Sequence, residues 1–122
     1  MIKHQRTDVP ATQVCMEGAN DVDMRLLIGR EHGAPNFSLR QFTVKPGGHT
    51  PRHSHDYEHE VIVISGTGRV EHGGEFHDIT EGDVMLIEPN VTHQFTNNGE
   101  AALEFLCLVP ATFNCGEHTP GS

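Results

Sequence analysis

The stretch Gly47-Gly48-His49-Thr50-Pro51-Arg52-His53-Ser54-His55-Asp56-Tyr57-Glu58-His59-Glu60-Val61-Ile62-Val63-Ile64-Ser65-Gly66 decides the reading of this chain. His53, His55 and His59 share one parity, so in an extended segment with a turn at Asp56 and Tyr57 their imidazoles converge on one face. The run Val61-Ile62-Val63-Ile64 that follows is β-branched throughout and ends at Gly66, the pattern of a strand closed by a turn. A fourth histidine, His93, lies in a second extended stretch, and the four together outline a metal site.

Outward from this stretch the chain reads as strand and turn in alternation. Residues 1–23 show little periodicity, and Val14-Cys15-Met16 is expected to form a short edge strand or an arm onto a partner subunit. Met24 to Gly29 is the first firm strand. Phe37 to Val44 is a strand covered on both sides, and Pro46-Gly47-Gly48 predicts a turn after it. Glu60 to Ser65 is the next strand. Gly68 to His72 and Glu75 to Ile79 flank Gly73-Gly74 as a hairpin. Val84 to Glu88, Thr92 to Thr96 and Ala102 to Val109 complete the strands, with turns at Pro89-Asn90 and Asn97-Asn98-Gly99. The expected barrel domain spans residues 24–110, and residues 111–122 form a loose tail that contains Cys115 and His118.

Composition agrees with an all-β fold in a single domain. The 122 residues include 13 glycines and 7 prolines, and no window carries apolar residues at helical spacing. The formal net charge of -9, with no basic cluster, argues against nucleic acid and anionic membrane surfaces as partners. The first residues lack the apolar run of a signal peptide, and no stretch is long enough to cross a membrane, so a cytoplasmic location is expected. Three cysteines, Cys15, Cys107 and Cys115, are an odd set without metal-knuckle spacing and read as reduced thiols.

Individual side chains divide into candidates and background. His4, His32, His49, His72, His77 and His118 read as solvated polar residues. With His93 pointing inward, Phe95 points inward too. Cys107 lies in the most apolar strand and reads as a small buried hydrophobe; if it faces the ion, Phe105 and Val109 line the same face. Arg40 shares a face with Phe42 and Val44. It is either an inward cation, able to anchor an anionic substrate or pair with an acid, or an exposed strand arginine.

The histidine stretch resembles the first signature of the cupin superfamily: a glycine, five residues, His-x-His, three or four residues, an acid, and six residues to a glycine. Here these are Gly47, His53, His55 and Gly66. Glu60 and His59 compete for the third position, and counting six residues back from Gly66 selects His59 and leaves Glu60 on the opposite face. A second signature is similar at Gly82, Asp83, Pro89, His93 and Asn97, with Glu88 and Asn90 where proline and glycine are more usual. The resemblance implies a double-stranded β-helix, or jelly-roll barrel, in which His53, His55, His59 and His93 hold a divalent metal.

Small single-domain cupins with four histidine ligands imply manganese. Four imidazoles without a carboxylate suit iron, copper, nickel or zinc better, so manganese stands first on resemblance alone. Two coordination positions would stay open for oxidant and substrate, the mark of a catalytic site over a closed structural one. The implied activity is that of a metal-dependent oxidoreductase, of dioxygenase or peroxide-using type, acting on a small organic molecule within a homodimer. The alternative is a non-catalytic binding or sensing module with a structural metal. Ligand histidines must be neutral, so metal affinity is expected to fall as pH drops toward and below about 6.5.

Overall fold

The computed structural model describes residues 1–111, so Cys115 and His118 lie outside the described residues. The strands are β1 (Thr12–Gln13), β2 (Asn20–Ile28), β3 (Phe37–His49), β4 (His59–Ser65), β5 (Thr67–His72), β6 (Glu75–Thr80), β7 (Val84–Ile87), β8 (His93–Thr96) and β9 (Leu103–Pro110). They form a curled antiparallel sheet in the order β6-β5-β8-β3-β9-β4-β7, with β2 added along β3 and β1 along β2. This is the all-β jelly-roll barrel expected from the sequence. Among the described residues no helix is long and apolar enough to cross a membrane.

Period-two patterning builds the barrel. In β9, Leu103, Phe105, Cys107 and Val109 are buried while their neighbours are half-exposed. In β4, His59, Val61 and Val63 are buried and Glu60 and Ile62 face outward. The inward rings of Phe42, Phe105 and Phe95 stack in succession, with centroids 5.4 and 4.5 Å apart, and fill the barrel floor. Burying a phenylalanine of this kind contributes about 2 kcal/mol from transfer alone.

Strand β3 departs from expectation. The turn predicted at Pro46-Gly47-Gly48 does not break it, and the strand runs on to His49. Register explains this: Val22 faces Val44 and Asn20 faces His49, so the extra residues of β3 bulge out of the ladder. Gly47 adopts φ +82° within the bulge, and a Cβ on Gly48 would stand 2.5 Å from the Asn20 carbonyl oxygen. The glycines bend one strand across the barrel; its first half pairs with β9 and its last residue with Thr96 of β8.

The N-terminal segment folds back onto its own barrel. β1 pairs with β2, Val14 is buried and donates its N–H to the Val22 carbonyl at 2.8 Å, and Arg6 donates to the Gln41 side chain at 3.1 Å. The strand expected from Met24 begins earlier, at Asn20.

Candidate metal centre

The histidine loop is zipped onto the second signature by its backbone. Thr50 N–H donates to the Phe95 carbonyl at 2.9 Å, and His53 and His93 exchange both backbone hydrogen bonds at 3.2 and 2.9 Å. Asn90 N–H donates to the His55 carbonyl. Asn90 has φ +68°, a left-handed conformation that asparagine tolerates better than most residues and that explains how it serves where glycine is more usual. Asn97 is buried; its amide donates to the carbonyls of Val44 and Ala101 at 2.8 Å, and its oxygen accepts from Gly99 N–H at 2.9 Å.

An antiparallel bridge puts paired residues on one face, so the His53–His93 pairing sends both rings inward, and His55 follows by parity. The donor atoms of His53, His55 and His93 lie within 4.8 Å of one another. His59 stands beside this trio, its ring 5.0 Å from that of His55 and 5.1 Å from that of His93, and it is 1% exposed. Glu60 is exposed on the outer face. His72 instead pairs with Glu88 at the surface, 2.7 Å apart, and His4 contacts the Leu27 carbonyl at 2.7 Å.

The outer nitrogens of His93 and His59 both have close contacts, and that of His93 fixes its tautomer. Nδ1 of His93 lies 3.0 Å from the Val91 carbonyl, which can only accept, so Nδ1 carries the proton and Nε2 would be the ligating atom. Nδ1 of His59 lies 3.1 Å from Cys107 Sγ. Nε2 of His55 and of His59 is buried without a hydrogen-bond partner. Buried polar atoms are rarely left so, and a cation shared between the rings would satisfy them. The residues therefore fit a metal, and an all-imidazole set suits the later first-row divalent ions.

Burial keeps the rings neutral, as ligands must be. Desolvation first, then the charges of His53, His93 and Arg40, lowers the His55 pKa to about 4. Desolvation followed by Arg40 and the neighbouring histidines lowers that of His59 to about 2.

The remaining candidates form the wall and floor. Arg40 is fully buried, which resolves its two readings in favour of the inward cation; its guanidinium lies 5.1 Å from the Phe42 ring centroid and donates to Cys107 Sγ at 3.4 Å. Cys107 is buried, as expected, and touches both His59 and Arg40. Phe95 meets His93 edge-on at 6.5 Å, with Phe105 beneath. Tyr57, read from sequence as part of a turn, stacks on His55 at 4.8 Å with 7° between the planes and lies 5.4 Å from His59. As a bend residue it has no strand period that could have shown this in the sequence.

Comparison with known proteins agrees with this architecture. The polyketide cyclase RemF from Streptomyces resistomycificus superposes with a TM-score of 0.86 at 33% identity, covering 91% of this chain and 80% of that one. The 1-methylthio-D-xylulose 5-phosphate methylsulfurylase of Rhodospirillum rubrum is 36% identical over 73 residues, 60% of this chain and 47% of that protein. The oxalate-binding protein of Thermotoga maritima is 28% identical over 95 residues, 75% of this chain and 78% of that protein. The chain thus spans about half the length of the methylsulfurylase it matches. The family model for the cupin domain matches residues 40–109, more than half of the sequence and all of both histidine signatures from His53 to Asn97, and the chain belongs to the cupin family.

Proposed function

We propose that this cupin is a metal-dependent enzyme in which His53, His55, His59 and His93 hold one divalent ion and a small oxygen-bearing organic substrate binds beside it. The observation that carries this reading is the convergence of four imidazoles with the inward nitrogens of His55 and His59 buried and unsatisfied. A bound ion would supply Lewis acidity toward a carbonyl, or electron transfer if it is a redox metal. The protein's own residues supply the rest. The backbone bridge fixes His53 against His93, Tyr57 forms a flat aromatic wall, and Phe95 closes the floor against water.

Two reaction classes use such a site. The likeness to a polyketide cyclase over most of the chain supports activation of a carbonyl-rich substrate for bond formation without an external oxidant. The imidazole ligand set, suited to iron, copper or nickel and compatible with manganese, supports the oxidoreductase class, dioxygenase or peroxide-using. Carbonyl activation stands first because it draws on similarity over most of the chain. The experiment is turnover of a panel of β-diketones and polyketide-like aromatic ketones by protein loaded with zinc, manganese or iron, in air and under argon. Product formed equally under argon supports carbonyl activation. Oxygen or peroxide consumed in step with product replaces it with the oxidoreductase. Tight binding without turnover leaves a binding module and overturns the enzyme reading.

The partner proposed for the protein is a second copy of itself. Leu39 lies opposite Leu108, and Leu106 opposite Ile62, which in turn lies opposite Val84, so β3, β9, β4 and β7 carry a largely apolar outer face in which Glu60 stands between Leu108 and Leu86. Val84 is 74% and Leu86 53% exposed, although one face of a solvated sheet is ordinarily polar. The face spans four strands, and an isologous dimer about a two-fold axis would cover it.

A further inference from the structure

We propose that Cys107, backed by Arg40, is a positioning residue that holds His59 with its Nε2 toward the ion. The proposal rests on the metal-site reading above and concerns how one ligand is oriented. The three side chains come from adjacent strands. Arg40 pairs with Cys107 across β3 and β9, and Cys107 pairs with Val61 across β9 and β4, two residues beyond His59 on the same face. Their exposures are 0%, 0% and 1%, so water cannot serve as a substitute partner.

The hydrogen-bond directions follow from the groups. A guanidinium N–H can only donate, so the 3.4 Å contact from Arg40 makes the sulfur an acceptor. If Nε2 of His59 is to ligate, Nδ1 bears the proton, and the 3.1 Å contact is Nδ1–H donating to the same sulfur. Cys107 thus performs for His59 the office that the Val91 carbonyl performs for His93. A histidine ligand commonly gives its outer N–H to a carboxylate or carbonyl, and removing that partner weakens metal binding by about 10- to 100-fold. A sulfur is a softer acceptor at longer range, and Arg40 holds it in place from the far side. A cysteine that merely filled space would be exchangeable for alanine without effect on the ion.

The test is cobalt(II) and zinc(II) affinity by competition titration, with the cobalt ligand-field spectrum, for wild type, Cys107→Ser, Cys107→Ala and His53→Ala. The proposal expects Cys107→Ala to bind cobalt at least tenfold more weakly with a shifted spectrum, and Cys107→Ser, which restores an acceptor, to recover most of the affinity. Alanine binding as tightly as wild type with an unchanged spectrum overturns it. A sulfur-to-cobalt charge-transfer band lost with the cysteine also overturns it, by placing the thiol on the ion. If Cys107→Ala does not fold, Cys107→Val, which fills the space without offering an acceptor, takes its place: cobalt bound at least tenfold more weakly supports the positioning role, and wild-type affinity with an unchanged spectrum overturns it. Failure of the metal reading is distinguishable, because wild type and His53→Ala would then bind cobalt equally weakly.

Discussion

His53 and His93 exchange both of their backbone hydrogen bonds, so two histidines proposed as metal ligands, about forty positions apart, are held face to face by the main chain. The bridge needs neither imidazole. Replacing either ring by alanine should leave the metal-free protein folded, with a melting temperature within a few degrees of wild type. The same variants should lose the stabilisation that added zinc or cobalt gives wild type, about 2.7 kcal/mol at one hundred times Kd. Differential scanning calorimetry with and without metal checks both halves.

Protonation gives a second prediction. In the unfolded chain His55 and His59 titrate near 6.5. In the fold they are lowered to about 4 and about 2. Between those values the unfolded state binds more protons, so stability falls as pH drops. The contribution of His55 and His59 is fully present above about pH 6.5, that of His55 is exhausted below about pH 4, and that of His59 keeps declining toward about 2. Urea midpoints of metal-free protein should therefore decrease steadily from pH 7 to 4.5. The slope should flatten in the double variant His55→Gln, His59→Gln. A wild-type midpoint that rises on acidification would contradict the assignment.

Arg52 and Glu71 anchor the histidine loop from outside. Arg52 Nε and Nη2 reach the Glu71 carboxylate at 2.8 Å each, next to His53 on one side and His72, the partner of His93 in the ladder, on the other. This bidentate pair lowers the Glu71 pKa and raises that of Arg52. Arg52→Ala should weaken cobalt binding several-fold while the β5–β6 hairpin keeps its amide protection, as read by hydrogen exchange. Equal loss of protection throughout the barrel would mean a general stability effect instead.

Gly66 is a steric requirement. It has φ +86°, and an added Cβ would lie 2.3 Å from the Ala102 carbonyl oxygen, where the chain turns from β4 into β5. Gly66→Ala combines a disfavoured φ with a backbone clash and should cost at least about 2 kcal/mol. Urea denaturation measures it directly.

The proposed dimer predicts a two-chain mass by sedimentation equilibrium at micromolar concentration. Val84→Lys places a charge on the exposed outer side of β7 and should yield a monomer whose metal content is unchanged, since Val84 faces away from the histidines.

Much of this architecture was legible in the sequence because parity is a strong constraint in strands. The count from His59 to Gly66 placed His59 inside and Glu60 outside, and the structure has them so. The alternation in β9 likewise put Phe105 and Cys107 on the inner face. The passage through Pro46-Gly47-Gly48 was not legible, because the same glycines that close turns also permit a bulge, and only the register against Asn20 and Val22 distinguishes them. Nor was the meeting of Arg40, Cys107 and His59. Their sequence positions say which face each occupies but nothing of which strands become neighbours. Tyr57 was hidden for a different reason, since a bend residue carries no period from which to read its direction.

The central claim is that one divalent ion sits among His53, His55, His59 and His93. Elemental analysis after reconstitution and desalting, on wild type beside His59→Ala and Glu60→Gln, tests it most directly. About one ion per chain is expected in wild type and in Glu60→Gln, and a large deficit in His59→Ala. Metal retained in His59→Ala but lost from Glu60→Gln, or no metal retained by wild type, would contradict it.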